Sequence, residues 1–380
     1  MMLEKRHLKW VYIAIPLVLA YVYLADLGFG ALDNETDEAR RALVAAEMII
    51  SGDYITPTLQ GNLYLNKPPL YNWIIAGSFK LFNNYSTFAL RFPVIVSIFI
   101  FGFIIYHFVK LYTKNFQVAY FSAIAFMTNG RILIYDSLQG LIDITFGWVM
   151  YLLFMLVYYF GEKGKYYKLF IFTYMLTAAG FMMKGLPAIA CQGITLLTWA
   201  VYKKKIKKLF SLAHITGIFF FIILLGIYYA AFFRKNDIKP ATLFLNLLHE
   251  SSKRTILEQG IGNTILNLFT FPFEFLYHFA PWTILVVLVL HKGIRTILSQ
   301  SDFLTYSILI FFTNIIIYWT SPQVYARYLF IVVPLLFNLL IYCYFSPHLI
   351  NSIQRKIVDY FFIISTATIA LACVAAPFIP

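Results

Sequence analysis

Hydrophobic positions in this chain fall in long, nearly uninterrupted blocks separated by short polar links. A helix needs about 20 apolar residues to cross a bilayer core. By that measure eleven blocks predict membrane spans, at roughly 9–30, 92–112, 115–134, 138–160, 167–183, 185–202, 209–233, 276–292, 303–320, 325–346 and 357–379. The first block follows Lys5, Arg6 and Lys9 and exceeds the core of about 7–15 residues of a cleaved signal, so it reads as a retained anchor. Met183-Lys184-Gly185 must turn at the membrane face to join two neighbouring spans. No tandem repeat and no soluble domain interrupt the pattern. The expectation is one transmembrane domain over 1–380, all-α and polytopic, with no soluble C-terminal domain.

Two segments between the blocks, 31–91 and 234–275, are too long to be simple links. Residues 37–51 predict a helix: Thr36 can cap it, Asp37 and Glu38 occupy its first turn, and Gly52 follows its end. Ala39, Leu43, Ala46 and Ile50 give it a thin apolar stripe, which suits a helix lying in the membrane interface. Residues 68–83 and 241–257 predict two more juxtamembrane helices. Lys and Arg then orient the bundle. With the N-terminus in the cytoplasm, that side collects Lys5, Arg6, Lys9, Lys110, Lys114, Lys163, Lys165, Lys168, Lys203, Lys204, Lys205, Lys207, Lys208, Lys292, Arg295, Arg355 and Lys356, which is 17 of the 30 Lys and Arg residues. Both long segments then face outside.

Composition narrows the class. Hydrophobic residues make up 61% of the chain and aromatics 19%, whereas charged residues make up only 12%; soluble domains carry about 25%. The net charge of +13 does not signal nucleic-acid binding, because the one dense basic run, Lys203 to Lys208, is a link between two apolar blocks and no groove-reading motif accompanies it. The three cysteines, Cys191, Cys343 and Cys373, lie within apolar blocks, so no disulfide framework is visible. There is no Gly-rich phosphate loop and hence no nucleotide site.

Polar clusters gather on the expected outer face. Asp37-Glu38-Ala39-Arg40-Arg41 either places a catalytic acid there or merely offsets a helix dipole. Asp143, near the outer end of a span, is costly at that depth and marks either a functional site or a structural pair with a base such as Arg131. Lys67, stiffened by Pro68 and Pro69, is presented at the membrane surface as a phosphate ligand or a snorkelling anchor. Arg254 and Arg327-Tyr328 can hold a phosphate, whether of a lipid headgroup or of a substrate. Lys184-Gly185 is a fifth element, or only a turn. Asn34-Glu35-Thr36 has the form of a glycosylation sequon, but a glycan beside Asp37 would block the site. His249 and His278 lack metal-ligand spacing, so no metal site and no firm cofactor follow, and a divalent metal has weak support.

These residues resemble a known family. Asp37-Glu38-Ala39-Arg40, Glu47-Met48, Gly52-Asp53-Tyr54, Pro57, Gly61, Tyr64 and Lys67-Pro68-Pro69 follow in order the first external loop of the membrane glycosyltransferases that include lipid A aminoarabinose transferase and the protein O-mannosyltransferases. Leu141-Ile142-Asp143, Lys184-Gly185 with Pro187, Pro281-Trp282 and Arg327-Tyr328-Leu329 with Pro334 extend the likeness over about 20–340. The resemblance implies a GT-C bundle with an extracytoplasmic active site in the bacterial inner membrane and a sugar donor on a polyprenyl phosphate. It implies Asp37 and Asp143 as catalytic acids and Lys67 on the donor phosphate; Arg254 and Arg327, from the residues themselves, are the further phosphate-binding candidates. Glu38, Arg40, Tyr64, Lys184 and Tyr328 are the supporting residues. Asn66 stands where aminoarabinose transferases carry Glu before the lysine, which weakens a metal site there.

The chemistry is consistent with that set. An acceptor hydroxyl on a lipid, glycan or protein needs a base. The departing polyprenyl phosphate needs fixed positive charge more than a general acid. A base opposite the leaving group predicts a single displacement with inversion. The rival reading is a transporter or flippase, but those place charges near the midplane, whereas here the ionisable residues cluster at one face. Cysteines introduced at positions 60 and 205 should label from opposite sides of the membrane; labelling from one side would overturn both the orientation and the assigned face.

Overall fold

The computed structural model describes residues 2–25, 27–28, 36–253, 260–291, 293–346 and 352–375. In chain order its elements are α1 (Met2–Ala25), α2 (Asp37–Ser51), a hairpin of β1 (Thr58–Leu59) and β2 (Asn62–Leu63), α3 (Leu70–Phe82), α4 (Thr87–Thr113), α5 (Phe116–Met127), α6 (Gly130–Ile134), α7 (Asp143–Glu162), α8 (Tyr166–Lys184) and α9 (Leu186–Tyr202). There follow α10 (Leu212–Lys235), α11 (Pro240–Ser252), α12 (Ile261–His278), α13 (Ile294–Gln300), α14 (Asp302–Trp319), α15 (Val333–Phe345) and α16 (Ser352–Ala375). The protein is an all-α multi-pass membrane protein.

Among the described residues, α4, α7, α10 and α14 are long and apolar enough to cross a membrane as unbroken rods, and two bent pairs bring the number to six at most. Three further apolar helices, Trp10–Ala25, Leu186–Tyr202 and Val333–Phe345, are shorter. The predicted blocks therefore become helices with breaks. The block at 115–134 bends by 41° between α5 and the turns after Gly130. The block at 276–292 is misplaced: the helix runs over Ile261–His278, and a 3-10 segment, Trp282–Leu290, follows it. Pro281 lies between them, and proline can neither donate to the ladder nor tolerate the preceding turn. The block at 325–346 opens as a 3-10 turn, Ala326–Ile331, and becomes α-helical only from Val333, with Pro334 in the first turn of α15.

Helix α7 sits at the centre, packed against α4, α8 and α9. Phe101, Phe126 and Phe330 are fully buried around it, as is its own Phe154. Polar side chains bridge the apolar layers, as is usual where lipid supplies no hydrophobic drive between helices: Asn338 donates to the Tyr151 hydroxyl at 3.1 Å and Tyr306 to the Phe154 carbonyl at 2.7 Å. At Gly217, α10 comes so close to α8 that a Cβ would lie 2.6 Å from the Tyr174 ring. At the far end of α7, Lys203 pairs with Glu162 at 2.9 Å and Asp302 at 2.5 Å, so this lysine ties α7, α9 and α14 together.

The three predicted juxtamembrane helices form as α2, α3 and α11. Thr36 caps α2 by accepting from the Ala39 amide at 3.4 Å, and Gly52 ends it with φ 71°. The buried face of α2 is not the predicted stripe. Glu38, Ala39, Arg41, Val44, Ala45 and Met48 turn inward, while Leu43 and Ile50 are exposed. Two charges are buried because partners await one of them. Glu38 accepts from Arg91 of α4 at 2.7 and 3.2 Å and from the Gly140 amide at 2.6 Å, and Arg91 also donates to the Leu27 carbonyl at 3.3 Å. A Cβ on Gly140 would lie 2.8 Å from the Leu90 side chain, so glycine lets this turn approach. Arg91→Ala would leave Glu38 buried without its counter-charge. It should cost about 3–5 kcal/mol, read as a fall in melting temperature of the purified protein; unchanged melting would show that the pair does not hold α2 down.

Candidate active site

Two carboxylates begin two helices. Asp37 is the first residue of α2 and Asp143 the first of α7, where the helix dipole favours negative charge. Arg327, from the 3-10 turn before α15, lies between them: its Nη2 is 3.3 Å from Asp37 Oδ2 and its Nε 3.3 Å from Asp143 Oδ2. Arg40 Nη1 holds the other Asp37 oxygen at 2.9 Å. Lys184, the last residue of α8, holds the other Asp143 oxygen at 2.5 Å, with its ammonium 3.9 Å from the centre of the Tyr328 ring. The two acids differ in access. The Asp37 side chain is 42% exposed and that of Asp143 only 5%.

These groups line a cavity of about 330 Å³ together with Arg41, Tyr64, Asn66, Lys67, Leu141, Ile142 and, from α11, Glu250 and its ion-pair partner Lys253. Residues from both long segments therefore meet. A second cavity of about 260 Å³ shares Lys67, Lys184, Glu250 and Tyr328 and continues along Leu186, Pro187, Ala190, Ile317 and Val324 as an apolar groove. Lys67 is half-buried at the junction of the two, behind the buried Pro68 and Pro69. Tyr64 packs on Val44 and Met48, which seats the chain entering Lys67.

The loop before Lys67 is set by Glu47. Its carboxylate accepts from Thr58 Oγ1 and the Gln60 amide, both at 2.5 Å, and from the Gly61 amide at 3.3 Å, and so closes the β1–β2 turn. Partial burial opposes its charge, but these hydrogen bonds outweigh burial and hold the carboxyl below its ordinary value of 4.5. From α3, the buried Tyr71 donates to the Leu141 carbonyl at 2.8 Å and fixes the turn that leads to Asp143. Burial pushes the Tyr71 phenol well up, so it stays a donor.

Several sequence expectations need correction. Glu38 does not line the cavity; it is a positioning residue that locks α2 through Arg91. Arg131 is not the partner of Asp143: it pairs with the buried Asp136 at 2.5 Å, a pair that no sequence signal distinguished. Arg254 and the sequon asparagine Asn34 lie outside the described residues. Arg41, read in sequence only as part of a charged helix start, is in the cavity wall. Among the described residues no three His, Cys, Asp or Glu side chains converge in a way that could hold a metal ion.

Comparison with solved structures decides the fold. The crystal structure of ArnT from Cupriavidus metallidurans bound to undecaprenyl phosphate superimposes with a TM-score of 0.73 at 18% identity, over 98% of this chain and 65% of that one. The chain has the GT-C fold of ArnT. Its sequence also resembles the lipid A aminoarabinose transferases. It is 27% identical over 207 residues to an undecaprenyl phosphate-α-4-amino-4-deoxy-L-arabinose arabinosyl transferase of Proteus mirabilis, covering 53% of this chain and 36% of that protein. It is 27% identical over 212 residues to the corresponding transferase of Photorhabdus laumondii, covering 55% and 38%. The matched stretch thus spans well under half the length of these relatives. The family model for dolichyl-phosphate-mannose-protein mannosyltransferase matches residues 66–229, which include Lys67, Asp143 and Lys184. In this GT-C chain, Asp37 and Arg327 lie outside that match and join the site through the fold.

Because Glu47 titrates below its ordinary value when folded, its support for the hairpin is complete above that value. The support is lost as pH falls through the lowered one. Amide exchange at Gln60 and Gly61 should therefore quicken, relative to the intrinsic rate, on acidification, and Glu47→Gln should show faster exchange already at neutral pH. Equal protection in the variant would remove Glu47 as the closing group.

Proposed function

We propose that this protein is a glycosyltransferase that moves a sugar from a polyprenyl-phosphate donor to an acceptor hydroxyl at the extracytoplasmic face of the bacterial inner membrane. The observation that carries the reading is the joined pair of cavities: two acids and several cations in one, an apolar groove leading from it, and Lys67 at the junction. The prenyl chain lies in the groove and brings its phosphate to Lys67. Arg327 is within reach of the same group, and Arg254, next to Lys253 in the sequence, is a further candidate for it. The solved ArnT structure that shares this fold was crystallised with undecaprenyl phosphate, which supports a donor of that kind.

Asp37 is the base. It is the more accessible acid, so an incoming hydroxyl can reach it, and its bond to Arg40 orients the carboxylate. The hydroxyl loses its proton to Asp37 as its oxygen attacks the anomeric carbon. The bond to the phosphate oxygen breaks on the opposite side, and the anomeric configuration inverts. Negative charge grows on the departing phosphate, where Lys67 and Arg327 stabilise it more strongly than in the ground state. Asp143, buried beneath Lys184 and Arg327, orients these two cations. Transport is the poorer reading, because transporters place charges near the midplane, whereas Asp37, Asp143 and Lys184 of this cavity stand at helix ends.

Asp37→Asn keeps the shape but removes basicity, so kcat should fall about 10²–10⁴-fold with little change in donor affinity. Asp143→Asn should weaken donor binding as well as turnover, because it releases Lys184 and Arg327. Transfer can be followed by mass spectrometry of polyprenyl-phosphate-linked sugars in proteoliposomes. A folded Asp37→Asn protein with near-normal turnover would sink the assignment.

A further inference from the structure

The cavity contains a cation that the proposed chemistry leaves unused. Arg41 follows Arg40 on α2, is only 5% exposed, and lines the same cavity as Asp37, Lys67 and Asp143. Its Nε and Nη1 are buried and have no hydrogen-bond partner among the described residues. Its guanidinium lies over the Tyr71 ring, 5.6 Å from the centre, and that ring is fully buried. Buried donors are ordinarily satisfied, and an arginine left with two of its nitrogens unpaired in a cavity wall calls for a ligand that completes them.

Charge indicates the kind of ligand. Six basic side chains, Arg40, Arg41, Lys67, Lys184, Lys253 and Arg327, line this cavity against three acids, Asp37, Asp143 and Glu250. All three acids have partners already: Arg40 and Arg327 on Asp37, Lys184 and Arg327 on Asp143, and Lys253 on Glu250. The prenyl phosphodiester brings a single negative charge, placed at Lys67. Positive charge remains in excess at Arg41, whose guanidinium suits a charge-assisted hydrogen bond to a carboxylate.

We propose that Arg41 receives a carboxylate on the transferred sugar, so that this enzyme selects an acidic sugar. The relatives named for 4-amino-4-deoxy-L-arabinose act on a sugar bearing an amine; an ammonium group placed here would face an unpaired buried guanidinium, and like charges brought together at a site select against the wrong ligand. The inference rests on the proposed transfer reaction and names its donor class.

The test offers the purified full chain three undecaprenyl-phosphate donors, carrying a uronate, the corresponding neutral hexose and a 4-amino-4-deoxy pentose, and measures both Kd and kcat/KM. The uronate should be preferred to the neutral hexose by about 10–100-fold, with the amino sugar last. In Arg41→Gln the ratio of uronate to neutral hexose should collapse toward one, and Arg41→Lys should retain part of it. A wild-type preference for the amino sugar overturns the proposal without need of any variant. An Arg41→Gln protein in which all donors weaken equally also overturns it, because Arg41 would then serve the donor phosphate or the packing beneath Asp143. Binding in the expected order without turnover overturns the transfer reaction alone, whereas equal binding of all three donors overturns the acidic-sugar assignment.

Discussion

The site depends on a carboxylate that never touches it. Glu38, buried between Arg91 of α4 and the Gly140 amide, fixes α2 at once to a long membrane helix and to the turn that begins α7. Asp37 precedes Glu38 on α2, and Asp143 follows Gly140 by three residues. One hydrogen-bonded ion pair therefore sets the distance between the two acids of the cavity. Such a pair is costly to bury and stabilises only when its hydrogen bonds are complete. Here Arg91 supplies two donors and Gly140 a third, and the Leu27 carbonyl takes up another guanidinium N–H. Tyr71 reinforces the same turn from α3.

Around this frame the helices break where the cavity lies. The 3-10 turn Asp136–Leu138, the link between α8 and α9 at Gly185 with φ 77°, and the 3-10 turn Ala326–Ile331 lie beside the cavity wall or form part of it. Backbone at membrane depth can leave the helical ladder only where protein or water meets its polar groups. Those breaks deliver three charged side chains of the cavity: Asp143 at a helix start, Lys184 at a helix end and Arg327 in a turn. The unbroken helices α4, α7 and α14 supply rigidity, with a glycine at position 217 admitting α10 against α8.

Electrostatics divides the labour between the acids. Asp143 lies under two cations and is closed to solvent, so it acts on its neighbours; Asp37 shares Arg327 with it but stays open to an incoming group. Arg327 makes the two carboxylates one unit, and a change at either is felt at the other. The cavity then exceeds its own acids in positive charge, which suits the anionic donor and the second anionic group proposed for it.

Local physics made much of this legible in the sequence. Long apolar blocks required membrane helices, Thr36 and Gly52 bounded α2, and the ordered residues from Asp37 to Pro69 carried the resemblance to GT-C transferases. Placement near a common face brought Asp37, Lys67, Asp143, Lys184, Arg327 and Tyr328 into one list, and all six line one cavity. Partnership was not legible. Nothing local distinguishes Glu38, which is spent on Arg91, from Asp37, which is not, or pairs Arg131 with Asp136 rather than with Asp143. The apolar stripe of α2 pointed to Leu43 and Ile50, yet the fold buries Arg41 and Glu38 instead. Hydrophobic pattern and helix caps are properties of neighbouring residues, so the chain alone determines them. Which charge meets which across 50 to 290 residues of sequence depends on how the helices pack, and only the tertiary structure decided it.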